Sequence, residues 1–234
     1  MKFISYYDSP LGKITLAGDG AGLCGLWFEG EKYYAHALAA SGADKKQSSA
    51  DLLTKKQHTA SETQRNFAAQ DASKKSYATD LSAQSAGEKF YINEQSADFE
   101  EKNLAIFDQT KRWLDLYFSG REPGFTPALN PVGSAFRCAV WEILLKIPYG
   151  KTTTYGQIAR EIAAARGLAK MSAQAVGGAV GHNEISIIIP CHRVIGAHGN
   201  LTGYAGGIDR KIKLLKLEGV DMRGLFTPAK GTAL

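Results

Sequence analysis

Residues 42 to 88 constrain the fold more than any other stretch, because they withdraw a large block of the chain from any core. The segment "GADKKQSSADLLTKKQHTASETQRNFAAQDASKKSYATDLSAQSAGE" contains no Val, Ile, Trp or Pro, and its large apolar residues are Leu52, Leu53, Phe67, Tyr77 and Leu81. Such a composition cannot bury enough surface to offset the chain entropy lost on folding. It reads as a low-complexity insertion. The pairs Lys45/Lys46, Lys55/Lys56 and Lys74/Lys75 offer a second reading, a non-specific DNA-touching arm, but interspersed acids nearly cancel them. The core must come from the chain on either side.

On the N-terminal side, "KFISYYDSPLGKITLAGDGAGLCGLWFEG" alternates aromatic and β-branched runs with the turn signals "DSPLG" and "GDGAG". This predicts an antiparallel meander over residues 2 to 30. Cys24, set in "GLCGLWF", reads as a small buried hydrophobe. After the insertion, "LAIFDQTKRWLDLYF" places Leu104, Phe107, Leu114 and Phe118 on one helical face, and Gly120 follows as a stop. The proline-rich "REPGFTPALNPVG" puts a boundary near 121 to 133. The expected division is therefore a first domain at 1–125, a second at 126–225 and a tail at 226–234.

The second part is denser in helix signals. Ser134 can cap a helix whose inner face carries Phe136, Val140, Ile143, Leu144 and Ile147. Thr154 and Gln157 form a capping box at the start of "TYGQIAREIAAARG", with Ile158 and Ile162 as its stripe. A short loop leads to Ser172 and the helix "AQAVGGAVG". Two short helices joined by a loop predict a helix-turn-helix. The last of them has almost no side-chain bulk, and each mid-helix glycine costs about 1 kcal/mol relative to alanine. Either it packs closely against another helix, or it is thin enough for a narrow groove such as the minor groove of DNA.

Composition narrows the function classes. The chain has 234 residues, 44% hydrophobic and 22% charged, with net charge +5 and pI near 9.0. A mild basic excess fits an acidic partner without requiring one. Three widely spaced cysteines argue against a disulfide scaffold and a C-x-x-C zinc site, and for a reducing cytosol. The start "MKFISYYDSPLG" lacks the apolar stretch of a signal peptide. No apolar run approaches the ~18 residues of a membrane span.

The chemistry concentrates in "IIIPCHRVIG", which reads as an apolar strand ending at Pro190 and presenting Cys191 and His192. A free thiol has a pKa near 8.5, so only about 3% is thiolate at neutral pH, and a nucleophilic cysteine needs a base or positive charge beside it. Successive side chains of a strand point to opposite faces, so the pair cooperates only across a turn or a water. A half-buried structural pair is the plain alternative. Asn183 lies just before the run and could bond near the sulfur. "HGNLTGYAGG" could let a ligand approach the backbone. In "DRKIKLLKLEG", expected to be helical with Ile208, Ile212 and Leu215 inward and Gly219 at its end, Glu218 faces the negative end of the helix dipole, against local preference. Cys191, His192 and Glu218 would make a nucleophile, base and orienter.

These segments resemble a known family. "IIIPCHRVIG", "GYAGG", "LLKLEG", "TTYGQIA" and "AVGGAVGHN" are similar to the O6-alkylguanine-DNA alkyltransferases over 134–220, and "SPLGKITLAG", "GLWFEG" and "WLDLYFSGREP" are similar to their bacterial branch. The resemblance does not cover 42–88. It implies an α+β protein: a small N-terminal α/β domain with an RNase H-like antiparallel sheet, and a C-terminal winged-helix-like, helix-turn-helix DNA-binding domain. It implies direct-reversal repair of double-stranded DNA, in which O6-alkylguanine, and O4-alkylthymine with it, is flipped out and its alkyl group moved irreversibly to a cysteine. A cytoplasmic monomer with no cofactor and no metal is expected.

The resemblance assigns Cys191 as acceptor, His192 as base through a water, Glu218 as its orienter and Asn183 as a hydrogen-bonding partner of the turn. Tyr155 would press on the target phosphate and hydrogen-bond the guanine. Tyr204, Ala205, Ser186 and Val194 would form the base pocket. Ala173, Ala175, Gly177 and Gln174 would meet the minor groove, with Gln174 replacing an arginine common in the family. A hydrolase or redox thiol would account for Cys191 and His192 but not for the thin helix. A damage binder without chemistry would lack the cysteine, and a combined adaptive-response regulator would need a four-cysteine zinc domain that is missing here.

Overall fold

The computed structural model describes residues 2–32, 34, 99–101 and 104–228. The expected insertion at 42–88 lies outside the described residues. Strands β1 (Lys2–Ser9), β2 (Gly12–Gly18) and β3 (Leu23–Phe28) form the expected meander, and β4 (Phe99–Glu101) adds parallel to β1. The sheet order is β3-β2-β1-β4. The inner positions Ile14, Leu16, Leu26 and Phe28 are fully buried, as period-2 alternation requires. Cys24 is buried and free.

Helix α1 (Ala105–Phe118) buries Phe107, Thr110, Trp113, Leu114 and Tyr117. The expected face was partly wrong. Leu104 is the N-cap residue, and Phe118 is half-buried, stacked on Tyr7 with ring centroids 6.2 Å apart. The 3.6-residue period favours 107, 110, 114 and 117, and Tyr117 turns inward because its hydroxyl finds a buried partner.

The second half starts with α2 (Ala135–Leu144), where Arg137 N donates to Ser134 Oγ at 3.3 Å, the predicted cap. Trp141, outside the predicted stripe, is buried while Phe136 and Ile143 stay half-buried. Its indole donates to Ala179 O at 2.9 Å, a partner that the 3.6-residue pattern could not foresee. Helix α3 (Tyr155–Ala165) carries the complete capping box of Thr154 and Gln157. Ser172 caps α4 (Ala173–Gly181). Short strands β5 (Thr153–Thr154) and β6 (Val194–Ile195) pair in parallel, and α5 (Ile208–Leu217) is the last helix of the described residues. One apolar cluster runs from Ile14 and Leu26 of the sheet through Phe107, Leu144 and Ile158 to Ile189 and Leu214.

Two expectations about the C-terminal half are corrected. The run Ile187–Ile189 is not a strand. Only Ile185 pairs, in a parallel bridge to Leu26 on the β3 edge, held by Leu26 N to Glu184 O and Ser186 N to Leu26 O, both 2.8 Å. Beyond it the chain coils, and Ile187 takes φ 70°, a left-handed conformation costing a β-branched residue about 1–3 kcal/mol. Burial of all three isoleucines made the run look like a strand. On α5 the inward residues are Lys211, Leu214 and Leu215, with Glu218 at the C-cap, while Ile208 and Ile212 are half-buried.

Candidate active site

Cys191 opens a 3-10 turn, Cys191–Arg193, that follows Pro190, so the chain does bend where the Cys-His pair needs it. The thiol is 4% exposed. Asn183 organises the approach to it. Its Nδ2 faces Cys191 Sγ at 3.0 Å, Ile189 O at 2.8 Å and Ile185 O at 3.3 Å, while Oδ1 accepts from Ile185 N at 3.0 Å. The backbone donor assigns which end is oxygen. One buried side chain thus holds the strained coil and donates to the sulfur. Burial pushes the thiol up to about 12, against the opposing pull of the Asn183 donor and the Lys211 charge. The resting group is therefore a thiol, and a base must take its proton.

That base has a defined tautomer. His192 Nε2 lies 2.7 Å from Glu218 Oε1. A carboxylate only accepts, so Nε2 carries the hydrogen and Nδ1 holds the lone pair. Among the described residues, Nδ1 is buried without a partner. It makes no direct hydrogen bond to Cys191, and buried polar atoms of this kind are usually satisfied by water. Burial lowers the His192 pKa, so the imidazole is neutral and able to accept.

Glu218 collects five donors. Oε1 accepts from Tyr117 OH (2.8 Å), His192 Nε2 (2.7 Å) and Arg193 Nη2 (3.0 Å), and Oε2 from Arg193 Nε (2.8 Å) and Gly150 N (3.1 Å). Burial alone would raise its pKa, but the hydrogen bonds from His192 and Arg193 and the Arg193 charge hold it down at about 2. Gly150 is required here: its φ is 69°, and a Cβ would sit 2.8 Å from Glu218 O. Arg193 also donates to Ile147 O at 2.6 Å. Tyr117 and Tyr204 flank the imidazole edge-on at 6.4 and 6.5 Å.

The surrounding wall comes from several segments. Tyr155, the first residue of α3, donates its hydroxyl to Gly203 O at 3.1 Å. Tyr204 is buried, with its hydroxyl beside Ser186 but without a hydrogen bond of sound geometry. Ser186 and Val194 are fully buried, and Ala205 is half-buried. Lys211, fully buried, donates to Val194 O at 2.6 Å and Thr202 O at 2.7 Å, and burial lowers its pKa to about 8. A buried thiol, a neutral imidazole on an anchored carboxylate and a lysine nearby form a site for nucleophilic group transfer.

Comparison with known proteins agrees with this geometry. Residues 2–131 match the model for the 6-O-methylguanine DNA methyltransferase ribonuclease-like domain, and residues 135–220 match that family's DNA binding domain. The chain belongs to the 6-O-methylguanine DNA methyltransferase family. It is 51% identical over 118 residues to a methylated-DNA–protein-cysteine methyltransferase of Methanosarcina acetivorans, covering 50% of this chain and 72% of that one. A Mycobacterium tuberculosis protein of the same name is 53% identical over 105 residues, 45% of this chain and 61% of its own. The crystal structure of Mycobacterium tuberculosis OGT in complex with DNA superposes with TM-score 0.59 at 31% identity, covering 97% of this chain and 96% of that one.

Within this methyltransferase fold, α4 presents the surface that sequence reasoning singled out. Ala173, Gln174, Ala175 and Gly178 are exposed and Gly177 half-exposed, while Val176, Ala179 and Val180 are buried. Close internal packing does not account for the glycines. Among the described residues, a Cβ on Gly178 would meet nothing within 4 Å, and one on Gly177 would touch the Tyr155 ring at an ordinary 3.9 Å. The outer face is bare without any internal need for it.

The structure brings Cys191, His192, Glu218 and Asn183 together. It adds Arg193, Tyr117, Lys211 and the buried Glu31, which sequence reading missed. Two signals were available. Arg193 directly follows His192, and Lys211 lies seven residues before Glu218, two helical turns along the same face. Tyr117 and Glu31 carried none, because both arrive from the N-terminal half. Among the described residues, no cluster of His, Cys, Asp or Glu is arranged to hold a metal ion.

Proposed function

We propose that this protein repairs alkylated guanine in double-stranded DNA by taking the alkyl group onto Cys191, once per molecule. The observation that carries this is the free, buried nitrogen of His192, backed by Glu218, beside a thiol that Asn183 prepares. A flipped base is needed because the alkyl carbon is out of reach inside the stack.

The Cys191 proton passes to His192 Nδ1 through a bridging water, and the imidazolium formed is stabilised by the Glu218 carboxylate. The thiolate attacks the alkyl carbon, an S–C bond forms and the C–O6 bond breaks. The electron pair stays on the guanine, where the Tyr155 hydroxyl, turning from Gly203 O, offers a hydrogen bond to the developing negative charge. The thioether product has no leaving group, so the protein is spent. Tyr204, the Ala205 backbone, Ser186 and Val194 bound the base. The bare face of α4, with Ala173, Gln174, Ala175 and Gly177, fits the minor groove, whose width of about 6 Å excludes bulky side chains.

The reading assigns 1–125 to the ribonuclease-like domain and 126–225 to the alkyltransferase domain. It extends to O4-alkylthymine and to a cytoplasmic monomer, in keeping with three free cysteines. The test is intact mass after incubation with a duplex carrying O6-methylguanine. One added methyl per chain is expected, absent in Cys191→Ala. Multiple turnovers per chain, or no mass change, would refute it.

A further inference from the structure

The turn after β3 places a carboxyl group behind the pocket. Glu31 is 4% exposed, although a glutamate in a sheet-edge turn is ordinarily solvated. Its Oε2 accepts from Phe28 N at 2.9 Å and its Oε1 from Ser186 Oγ at 2.5 Å. Both partners are neutral. The next amide, Lys32 N, donates to Ala205 O at 3.1 Å. Arg210 clamps the same turn from α5, donating to Glu29 O at 3.2 Å and Gly206 O at 3.1 Å. The N-terminal sheet thus grips both segments that border Cys191, the coil before it and the 204–206 loop after it.

We propose that Glu31 is a positioning residue of the alkyl-transfer site: it holds Ser186 in the pocket wall and, by its own charge state, sets how readily Cys191 releases its proton. This rests on Cys191 being the alkyl acceptor. The groups that face these two residues are few. Around Glu31 stand Ser186, Arg210, Glu184 and Tyr204. Around Cys191 stand Asn183, Tyr155, Tyr204, Lys211 and the adjoining His192. Glu31 and Lys211 act on the sulfur with opposite sign: the glutamate charge disfavours the thiolate and the lysine charge favours it.

Burial pushes Glu31 up to about 7, against the pull of Ser186, the Phe28 amide and Arg210. Below that pH it is a neutral acid and leaves the sulfur to Lys211 and Asn183. Above it, the new anion opposes thiolate formation in a medium where charges are poorly screened. The wild-type gain in transfer rate with pH is therefore blunted from neutrality upward. Glu31→Gln keeps the shape and can still pair with Ser186 and the Phe28 amide, but it cannot ionise.

The experiment measures single-turnover transfer from an O6-methylguanine duplex for the wild type and Glu31→Gln across the neutral range. The thiolate ultraviolet absorbance of each is titrated in parallel, without DNA, as the difference from its Cys191→Ser counterpart. The ratio of variant to wild-type rate is expected to grow from near one at about pH 6 to about three- to tenfold at about pH 8.5, with the thiol of the variant titrating lower. Parallel rate profiles with equal thiol titrations would overturn the proposal. Absence of transfer in the wild type would instead sink the alkyl-acceptor reading, while the thiol titrations still report on Glu31. If Glu31→Gln does not fold, the carbon-13 carboxyl shift of Glu31 in the intact chain decides. Titration near neutrality supports the assignment, and titration in the ordinary carboxylate range overturns it.

Discussion

Replacing Glu218 by glutamine tests the site most directly, because the substitution preserves shape and removes charge. Five donors converge on the carboxylate, and Arg193 is buried against it at 2.8 Å. Breaking such a pair leaves a buried charge uncompensated, at about 3–5 kcal/mol. Set against a typical total of about 5–15 kcal/mol, that is a large loss. For a chain of this size it lowers Tm by roughly 6–20 °C. The amide also has to choose an orientation. Its NH2 cannot face Gly150 N and Arg193 Nε, which can only donate. It turns instead to the Oε1 side, where Arg193 Nη2 is the one fixed donor and His192 and Tyr117 can reverse roles. His192 then accepts at Nε2 and carries its hydrogen on Nδ1, where it can no longer take the thiol proton.

The expected kinetic loss in Glu218→Gln is about 10²–10⁴-fold, the ordinary contribution of a general base. Urea unfolding and single-turnover alkyl transfer measure the two effects separately. Adding Arg193→Met removes the stranded charge and should recover part of the stability but none of the rate. If Glu218→Gln unfolds within about 1 kcal/mol of the wild type and transfers at the wild-type rate, the assignment of Glu218 as anchor and orienter is wrong.

Three further outcomes are expected. Stability should fall on acidification below the ordinary carboxylate range. The Glu218 pKa is held at about 2 in the folded protein, below its unfolded value, so its contribution is complete above that unfolded value and is lost as pH drops toward 2. The lowered His192 pKa acts in the same direction below about pH 6.5, because unfolded histidine binds the proton first, whereas Glu31, raised to about 7, acts oppositely between that value and its unfolded one; stability that rises on further acidification below about pH 4, measured by urea unfolding, would contradict the Glu218 assignment. Asn183→Ala should cost about 1–3 kcal/mol, since it orphans buried groups of the strained coil, and should raise the Cys191 pKa by removing its donor; an unmoved thiol titration would count against it. Gln174→Arg should tighten DNA binding and speed transfer, because a longer cationic side chain can better fill the gap left by a flipped base; unchanged affinity and rate would show that position 174 plays no part in flipping.

Local order was legible in the sequence wherever neighbours in the chain decide it. The meander, the cap at Ser134 and the box of Thr154 with Gln157 depend on turn residues and on groups within three positions of one another. The pairing of Cys191, His192, Asn183 and Glu218 could be suspected because each is a chemically unusual residue for its local setting. Tertiary structure decided the rest. It turned the isoleucine run into a coil, since Asn183 and the β3 edge offer backbone partners that no periodicity encodes. It drew Tyr117 to Glu218 across 101 positions of sequence and Glu31 to Ser186 across 155. A buried polar group takes whichever partner the packed fold brings within hydrogen-bond reach, and sequence distance has no bearing on that choice.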